Sequence, residues 1–209
     1  MPMLLPPIYP ITPDALRGAA LVAWAGELLD AGCRFLQYRQ KSGPDEERLA
    51  DLDEIVARCH ARGCKVIVDD RTDLVMLSGA DGVHLGQADL PPSEARQLLG
   101  PHKIIGFSTH TWEQFQEALE YPVDYLALGP VFPTGSKIDP DAVVPVQDQD
   151  RILSASPLPV VAIGGVAPAN ALELWKRGFA SLAVIGALAR APGEGWREFM
   201  RRLPQDQSP

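Results

Sequence analysis

KVIVDDRTDLVMLSGADGVHLGQAD, residues 65–89, holds two short apolar runs, 66–68 and 82–85, with the length and composition of buried strands. Each run ends on carboxylates: Asp69 and Asp70 after the first, Asp89 after the second. Between them Leu74, Val75 and Leu77 recur at helical spacing, and Gly79 supplies a stop. Strand, helix and strand in this order predict two parallel neighbours joined by a crossover. Parallel neighbours carry their C-terminal ends on the same edge. Asp70 and Asp89 can therefore face one another as two hard oxygen ligands for Mg²⁺. Taken alone, the pair reads more simply as two solvated loop carboxylates. The rest of the chain changes that reading.

The same pattern extends in both directions. Upstream, Ile8 to Ile11 predicts a first strand, Asp14 a helix cap, and Gly32 the end of a helix reaching Leu29. Phe35 to Tyr38 is a second strand, followed by a helix opened by Pro44 and Asp45 with Leu49, Leu52, Ile55 and Val56 on one face. Downstream, strands are expected at 103–107, 125–128, 159–163 and 181–185, each followed by a helical segment. Alternation of this kind means a parallel sheet with crossover helices. Eight units in about 200 residues match the lower end of a (β/α)₈ TIM barrel. An open doubly wound sheet is the alternative, but the first turn has no glycine fingerprint. The expected organisation is one α/β barrel domain over residues 1–209, with a short polar tail after about residue 203.

The totals agree with a globular chain: 209 residues, 46% hydrophobic and 22% charged. A net charge of −8 makes nucleic acid and anionic membranes poor partners. An anionic substrate would need local cations or a metal to reverse that field. Cys33, Cys59 and Cys64 lack the companions of a zinc site and read as reduced packing residues. No apolar stretch approaches a membrane span, and the N-terminus lacks the basic start of a signal peptide. The expected location is the cytoplasm.

In a (β/α)₈ barrel the active site lies at the C-terminal ends of the strands. Those ends carry Arg39 and Lys41 on strand two, Asp69 and Asp70 on strand three, and Gln87 and Asp89 on strand four. Strand five adds Ser108, and the loop after strand six Thr134, Ser136 and Lys137. Strands seven and eight end in Gly164-Gly165 and Ile185-Gly186. Cations, carboxylates of metal-binding type, hydroxyls and bare backbone amides on one mouth suit phosphate. Each piece has a plainer reading too: Arg39 and Lys41 as solvated cations, Ser108 as a helix cap, Gly164-Gly165 as a turn. His84 lies within a strand and reads as a packed core histidine. His110 lies near the mouth. No Ser-His-Asp or Cys-His arrangement has support.

QYRQK (37–41), DDR (69–71), ADGVHLGQAD (80–89), GFSTHT (106–111), LGPVFPTGSK (128–137) and VAIGGV (161–166) together resemble the thiamine phosphate synthase family, in order, over residues 35–187. The resemblance implies a (β/α)₈ barrel transferase that joins the pyrimidine diphosphate of thiamine synthesis to thiazole phosphate, giving thiamine phosphate and pyrophosphate. It implies Gln37, Tyr38, Arg39, Gln40, Lys41, Asp69, Ser108 and Lys137 on the pyrimidine diphosphate, with Arg39, Lys41 and Lys137 catalytic. It implies Asp70 and Asp89 on Mg²⁺, and Thr134, Ser136, Gly165, Ile185 and Gly186 around the thiazole phosphate. Three departures stand out: Asp69 where the family usually has asparagine, Gly186 where it has serine, and residues 138–141 where it is glycine-rich. A thiazole tautomerase-like paralogue and a non-catalytic thiazole-phosphate or thiamine-phosphate binding protein are the alternatives.

Overall fold

The computed structural model describes residues 3–135 and 142–204. Its strands are β1 (Ile8–Pro10), β2 (Phe35–Tyr38), β3 (Lys65–Asp69), β4 (Gly82–Leu85), β5 (Ile104–Thr109), β6 (Tyr125–Leu128), β7 (Val160–Ala162) and β8 (Ser181–Val184). They alternate with α1 (Gly18–Asp30), α2 (Asp45–His60), α3 (Thr72–Ser78), α4 (Pro92–Leu99), α5 (Trp112–Ala118), α6 (Val146–Ala155), α7 (Pro168–Arg177) and α8 (Pro192–Arg202). All ladders are parallel, in the order β1-β8-β7-β6-β5-β4-β3-β2. A parallel bridge between Ile11 and Gln37 and the Thr12 N–H donating to Gln37 O (2.9 Å) join the two ends, so the sheet closes into the expected (β/α)₈ barrel. Among the described residues no helix is long and apolar enough to cross a membrane.

Two apolar layers hold this shape. Along each strand, successive side chains point to opposite faces. Leu36, Val66, Val68, Val83, Leu85, Leu126 and Leu128 point outward into the layer beneath the helices. Tyr9, Phe35, Ile67, Ile104, Tyr125 and Val161 point inward and fill the barrel. The helices answer with one apolar stripe each. On α1, Leu21, Val22, Ala25, Leu28 and Leu29 are buried at the spacing of a single face.

The inner layer tightens at Gly106, where a Cβ would fall 2.1 Å from the Tyr125 ring and 2.6 Å from His84 Nδ1. Only glycine lets these two side chains meet in the barrel centre. One expectation changes: α1 begins at Gly18 with Arg17 at its cap position, and Asp14 caps nothing. Asp14 is held by the β2 loop instead.

Candidate active site

The C-terminal mouth of the barrel opens into a cavity of about 570 Å³. Its β2–β4 side is charged. Arg39 and Lys41 extend beyond β2, and the β1 loop fixes them there. Thr12 Oγ1 accepts from the Arg39 N–H (2.8 Å) and donates to the Arg39 carbonyl (3.0 Å). Asp14 accepts from the Lys41 N–H (2.8 Å) and from Arg39 Nη1 (3.1 Å). Asp69 Oδ2 lies 2.7 Å from Lys41 Nζ and 3.6 Å from Arg39 Nε, buried and with neither contact aligned as a hydrogen bond. Lys41 also pairs with Asp70.

The electrostatics follow from burial and crowding. Burial, then the charge of Asp70, lifts Asp69 to about 6 against the pull of Lys41 and Arg39. Burial disfavours the Lys41 ammonium, but Asp69 and Asp70 outweigh it and raise its pKa. Burial also raises Asp89, whose Oδ2 accepts from the Gly86 N–H (2.7 Å), and the charge of Asp70 adds to the rise. Asp70 has φ +61°, the one non-glycine positive φ among the described residues. Its N–H donates to His84 O (2.8 Å), which ties this backbone conformation to β4.

No three His, Cys, Asp or Glu side chains among the described residues form a complete metal cage. Mg²⁺ does not need one, because it keeps several waters and shares phosphate oxygens with one or two carboxylates. Asp70 and Asp89 both line the cavity and are oxygen donors of the type Mg²⁺ takes. Three lining carboxylates also face only two lining cations, Arg39 and Lys41, among the described residues.

The β6–β8 side is built from backbone. Gly164 (φ +92°) and Gly165 (φ +67°) turn the chain after β7 against the β6 loop. A Cβ on Gly164 would sit 2.5 Å from Pro130 Cβ, and one on Gly165 2.6 Å from Pro133 O. The close approach and the left-handed conformation both require glycine. Thr134, Ile185 and Gly186 complete this wall, and His110, whose Nδ1 lies 2.5 Å from Gly129 O, joins it to β5.

Of the residues picked from sequence, Gln37, Arg39, Lys41, Asp69, Asp70, Asp89, Ser108, Thr134, Gly165, Ile185 and Gly186 all line this one cavity. Tyr38 does not. It alternates outward from Gln37, and its hydroxyl donates to Arg48 O on α2 (3.0 Å). Gln40 also turns away, with Nε2 donating to Leu16 O (2.6 Å). Ser136 and Lys137 lie outside the described residues. Sequence reasoning missed Thr12 and Asp14 as supports. Its reading of His84 as a packed core histidine holds, since the ring is buried and stacked on Tyr125, but His84 Nε2 also lies 2.9 Å from Ser108 Oγ at the cavity. The signal was available: Val83 and Leu85 face the helices, so His84 between them faces the barrel interior.

A closed eight-stranded barrel with paired cations, carboxylates and glycine turns at its C-terminal mouth defines an enzyme of the phosphate-handling (β/α)₈ class. Residues 8–188 match the family model described as thiamine monophosphate synthase. The chain is 39% identical to the thiamine-phosphate synthase of Lawsonia intracellularis over 186 residues, 88% of this chain and 86% of that one. It is 39% identical to the thiamine-phosphate synthase of Koribacter versatilis over 204 residues, 95% and 96% of the two chains. The solved thiamine phosphate pyrophosphorylase of Pyrococcus furiosus superposes with a TM-score of 0.83 at 32% identity, covering 94% of each chain. The chain belongs to the thiamine monophosphate synthase family, and its members are transferases.

Proposed function

We propose that this chain is a thiamine-phosphate synthase, condensing the aminopyrimidine diphosphate with thiazole phosphate and releasing pyrophosphate. The observation that carries this reading is the split mouth: charged side chains on β2–β4 face a glycine-lined wall on β6–β8 across one cavity. Two phosphorylated substrates of different charge need two such half-sites.

In the reaction, the bond between the pyrimidine methylene and the diphosphate oxygen breaks, and the electron pair leaves with the diphosphate. The aminopyrimidine ring delocalises the positive charge left on the methylene. The thiazole nitrogen then forms the new C–N bond with its lone pair. Little covalent chemistry is required of the protein; it positions the partners and stabilises the departing charge. Arg39 and Lys41, held by Thr12 and Asp14, pair with the diphosphate, and Lys137 takes the same role by resemblance. Ser108 and Gln37 hold the pyrimidine diphosphate from inside the barrel. Across the cavity, Thr134, Gly165, Ile185 and Gly186 receive the thiazole phosphate, with backbone N–H groups at the glycines available for close approach, and Ser136 takes the same role by resemblance.

Asp70 and Asp89 would hold Mg²⁺, which when bound would supply positive charge against the departing diphosphate. The crowding of Asp69, Asp70 and Asp89 around Arg39 and Lys41 at this mouth supports a role for added positive charge. Asp69, where the family usually has asparagine, lines the cavity with its charge set against Lys41 and Arg39, which would reduce its repulsion of the diphosphate. Arg71 plays no part, because it pairs with Asp45 and Asp73 away from the mouth.

The test is an incubation of purified protein with both substrates and Mg²⁺. Thiamine phosphate and pyrophosphate should form in equal amounts, and chelation of the metal should stop both. Binding of either substrate without product would favour the non-catalytic alternative. Isomerisation of the thiazole substrate without condensation would favour the tautomerase alternative.

A further inference from the structure

A line of hydrogen bonds crosses the barrel beneath the cavity floor. Gln37 Nε2 donates to Tyr9 Oη (3.1 Å). Tyr9 Oη lies 3.0 Å from Tyr125 Oη, and Tyr125 Oη lies 3.0 Å from His84 Nδ1. His84 Nε2 lies 2.9 Å from Ser108 Oγ. Both phenols are fully buried, and burial raises their pKa values well above the ordinary range. Each therefore keeps its single proton.

That single proton gives the line a direction. With Gln37 donating to Tyr9, the Tyr9 proton goes to Tyr125, and the Tyr125 proton goes to His84 Nδ1. A neutral imidazole that accepts at Nδ1 carries its proton on Nε2 and donates to Ser108. The two ends then open into the cavity with opposite characters. Gln37 lines the cavity, and with its Nε2 given to Tyr9 its Oε1 is the atom left to accept. Ser108 keeps its own proton to donate. Turning the Gln37 amide over would reverse all four bonds and exchange the two ends.

We propose that Tyr9, Tyr125 and His84 are positioning residues that fix the hydrogen-bond polarity of the site, so that Gln37 presents an acceptor and Ser108 a donor and the site selects an amino over an oxo pyrimidine. This rests on the synthase reading and deepens it. A 4-aminopyrimidine offers an N–H from its amino group beside a ring nitrogen that accepts. The 4-oxo compound offers a carbonyl oxygen beside a ring N–H, so donor and acceptor on that edge are exchanged. The oxo compound would set its oxygen against Gln37 Oε1 and leave two buried polar groups opposed. A site built to bond an N–H rejects the analogue lacking it far more strongly than an apolar pocket rejects an extra methylene. None of the three residues needs to touch the substrate, because each acts through Gln37 or Ser108.

Two measurements test this, and neither depends on turnover. The first is ¹⁵N NMR of the histidines of the wild-type protein, with His84 assigned from a His84→Gln spectrum. The expected result is a neutral ring with the proton on Nε2; a proton on Nδ1 overturns the proposal. The second compares calorimetric binding of the amino and oxo pyrimidine diphosphates, with Mg²⁺, to wild type and Tyr9→Phe. Removing the Tyr9 hydroxyl frees the Gln37 amide to turn, so the preference for the amino compound should fall about tenfold, the worth of one hydrogen bond. A purely structural role would weaken both ligands equally, and an unchanged preference overturns the proposal. If Tyr9→Phe fails to fold, Tyr125→Phe breaks the line one bond further on and is read the same way. Failure of the synthase reading would show separately, as no thiamine phosphate from wild type in the condensation assay.

Discussion

Arg39, Lys41, Asp69 and Asp70 work through side chains, whereas across the cavity Gly164, Gly165 and Gly186 present only backbone. The charged wall is crowded and mutually compensated: Lys41 contacts two carboxylates, and burial lifts Asp69 to about 6. On the other wall Gly164 and Gly165 make left-handed turns where a side chain would clash. A site assembled this way divides its labour. On the proposed reading, charge on one wall would handle the departing diphosphate, and steric room on the other would admit the second substrate.

The largest expected effect comes from removing a carboxylate of the charged wall. Asp89→Ala should reduce synthesis at least about a hundredfold at saturating Mg²⁺, the scale of losing one electrostatic stabiliser. Its far-UV circular dichroism and thermal midpoint should stay near wild type. Normal turnover in this variant would remove Asp89 from the metal site. Next is the other wall. Gly165→Ala forces a Cβ to 2.6 Å from Pro133 O at φ +67°, and should destabilise the fold by about 1–3 kcal/mol in chemical denaturation. Its KM for thiazole phosphate should rise about tenfold, or about 1.4 kcal/mol. An equal rise for both substrates would break the comparison between the walls.

A smaller effect is expected at the support of the charged wall. Asp14→Ala releases Arg39 Nη1 and the Lys41 N–H, and should raise KM for the pyrimidine diphosphate about fivefold, as for one charge-assisted hydrogen bond near the surface. The thiazole phosphate KM should stay constant, and movement of that constant instead would place Asp14 on the wrong side. The smallest effect is at Asp69. Asp69→Asn removes a buried negative charge and frees Lys41 for the ligand, so pyrimidine diphosphate should bind about two- to threefold tighter by calorimetry. Weaker binding would mean that the carboxylate holds Lys41 in its working position.

The barrel was legible because its strand and helix periods are clean and its stops are glycines. Gly79 and Gly178 end α3 and α7 in the left-handed conformation, as their positions after apolar runs suggested. The charged residues could be brought to one wall because the C-terminal ends of parallel strands share one edge. What stayed hidden was direction. Tyr38 and Gln40 stand in the same short motif as Gln37, Arg39 and Lys41, yet a strand sends alternate side chains to opposite faces and the loop beyond sends Gln40 to Leu16. Asp14 looked like a helix cap because aspartate before a helix usually is one. Its partners, Arg39 and Lys41, lie 25 and 27 residues away, beyond any local pattern. His84 looked like packing because a single histidine among apolar residues carries no sign of the hydroxyls it meets across the barrel.

Asp70 with its φ of +61° bears on how this sequence could be altered by selection. A left-handed backbone is less costly for glycine or asparagine than for aspartate. Carboxylate crowding with Asp69 and Asp89 adds to the cost of keeping an acid there. A library screened for heat resistance alone would therefore drift toward glycine or asparagine at position 70 and gain stability by doing so. The same library screened for condensation would hold the acid. Position 70 is thus where a consensus built from stability and a consensus built from turnover would part company, and a redesign of this barrel that follows local backbone rules would erase the proposed metal ligand first.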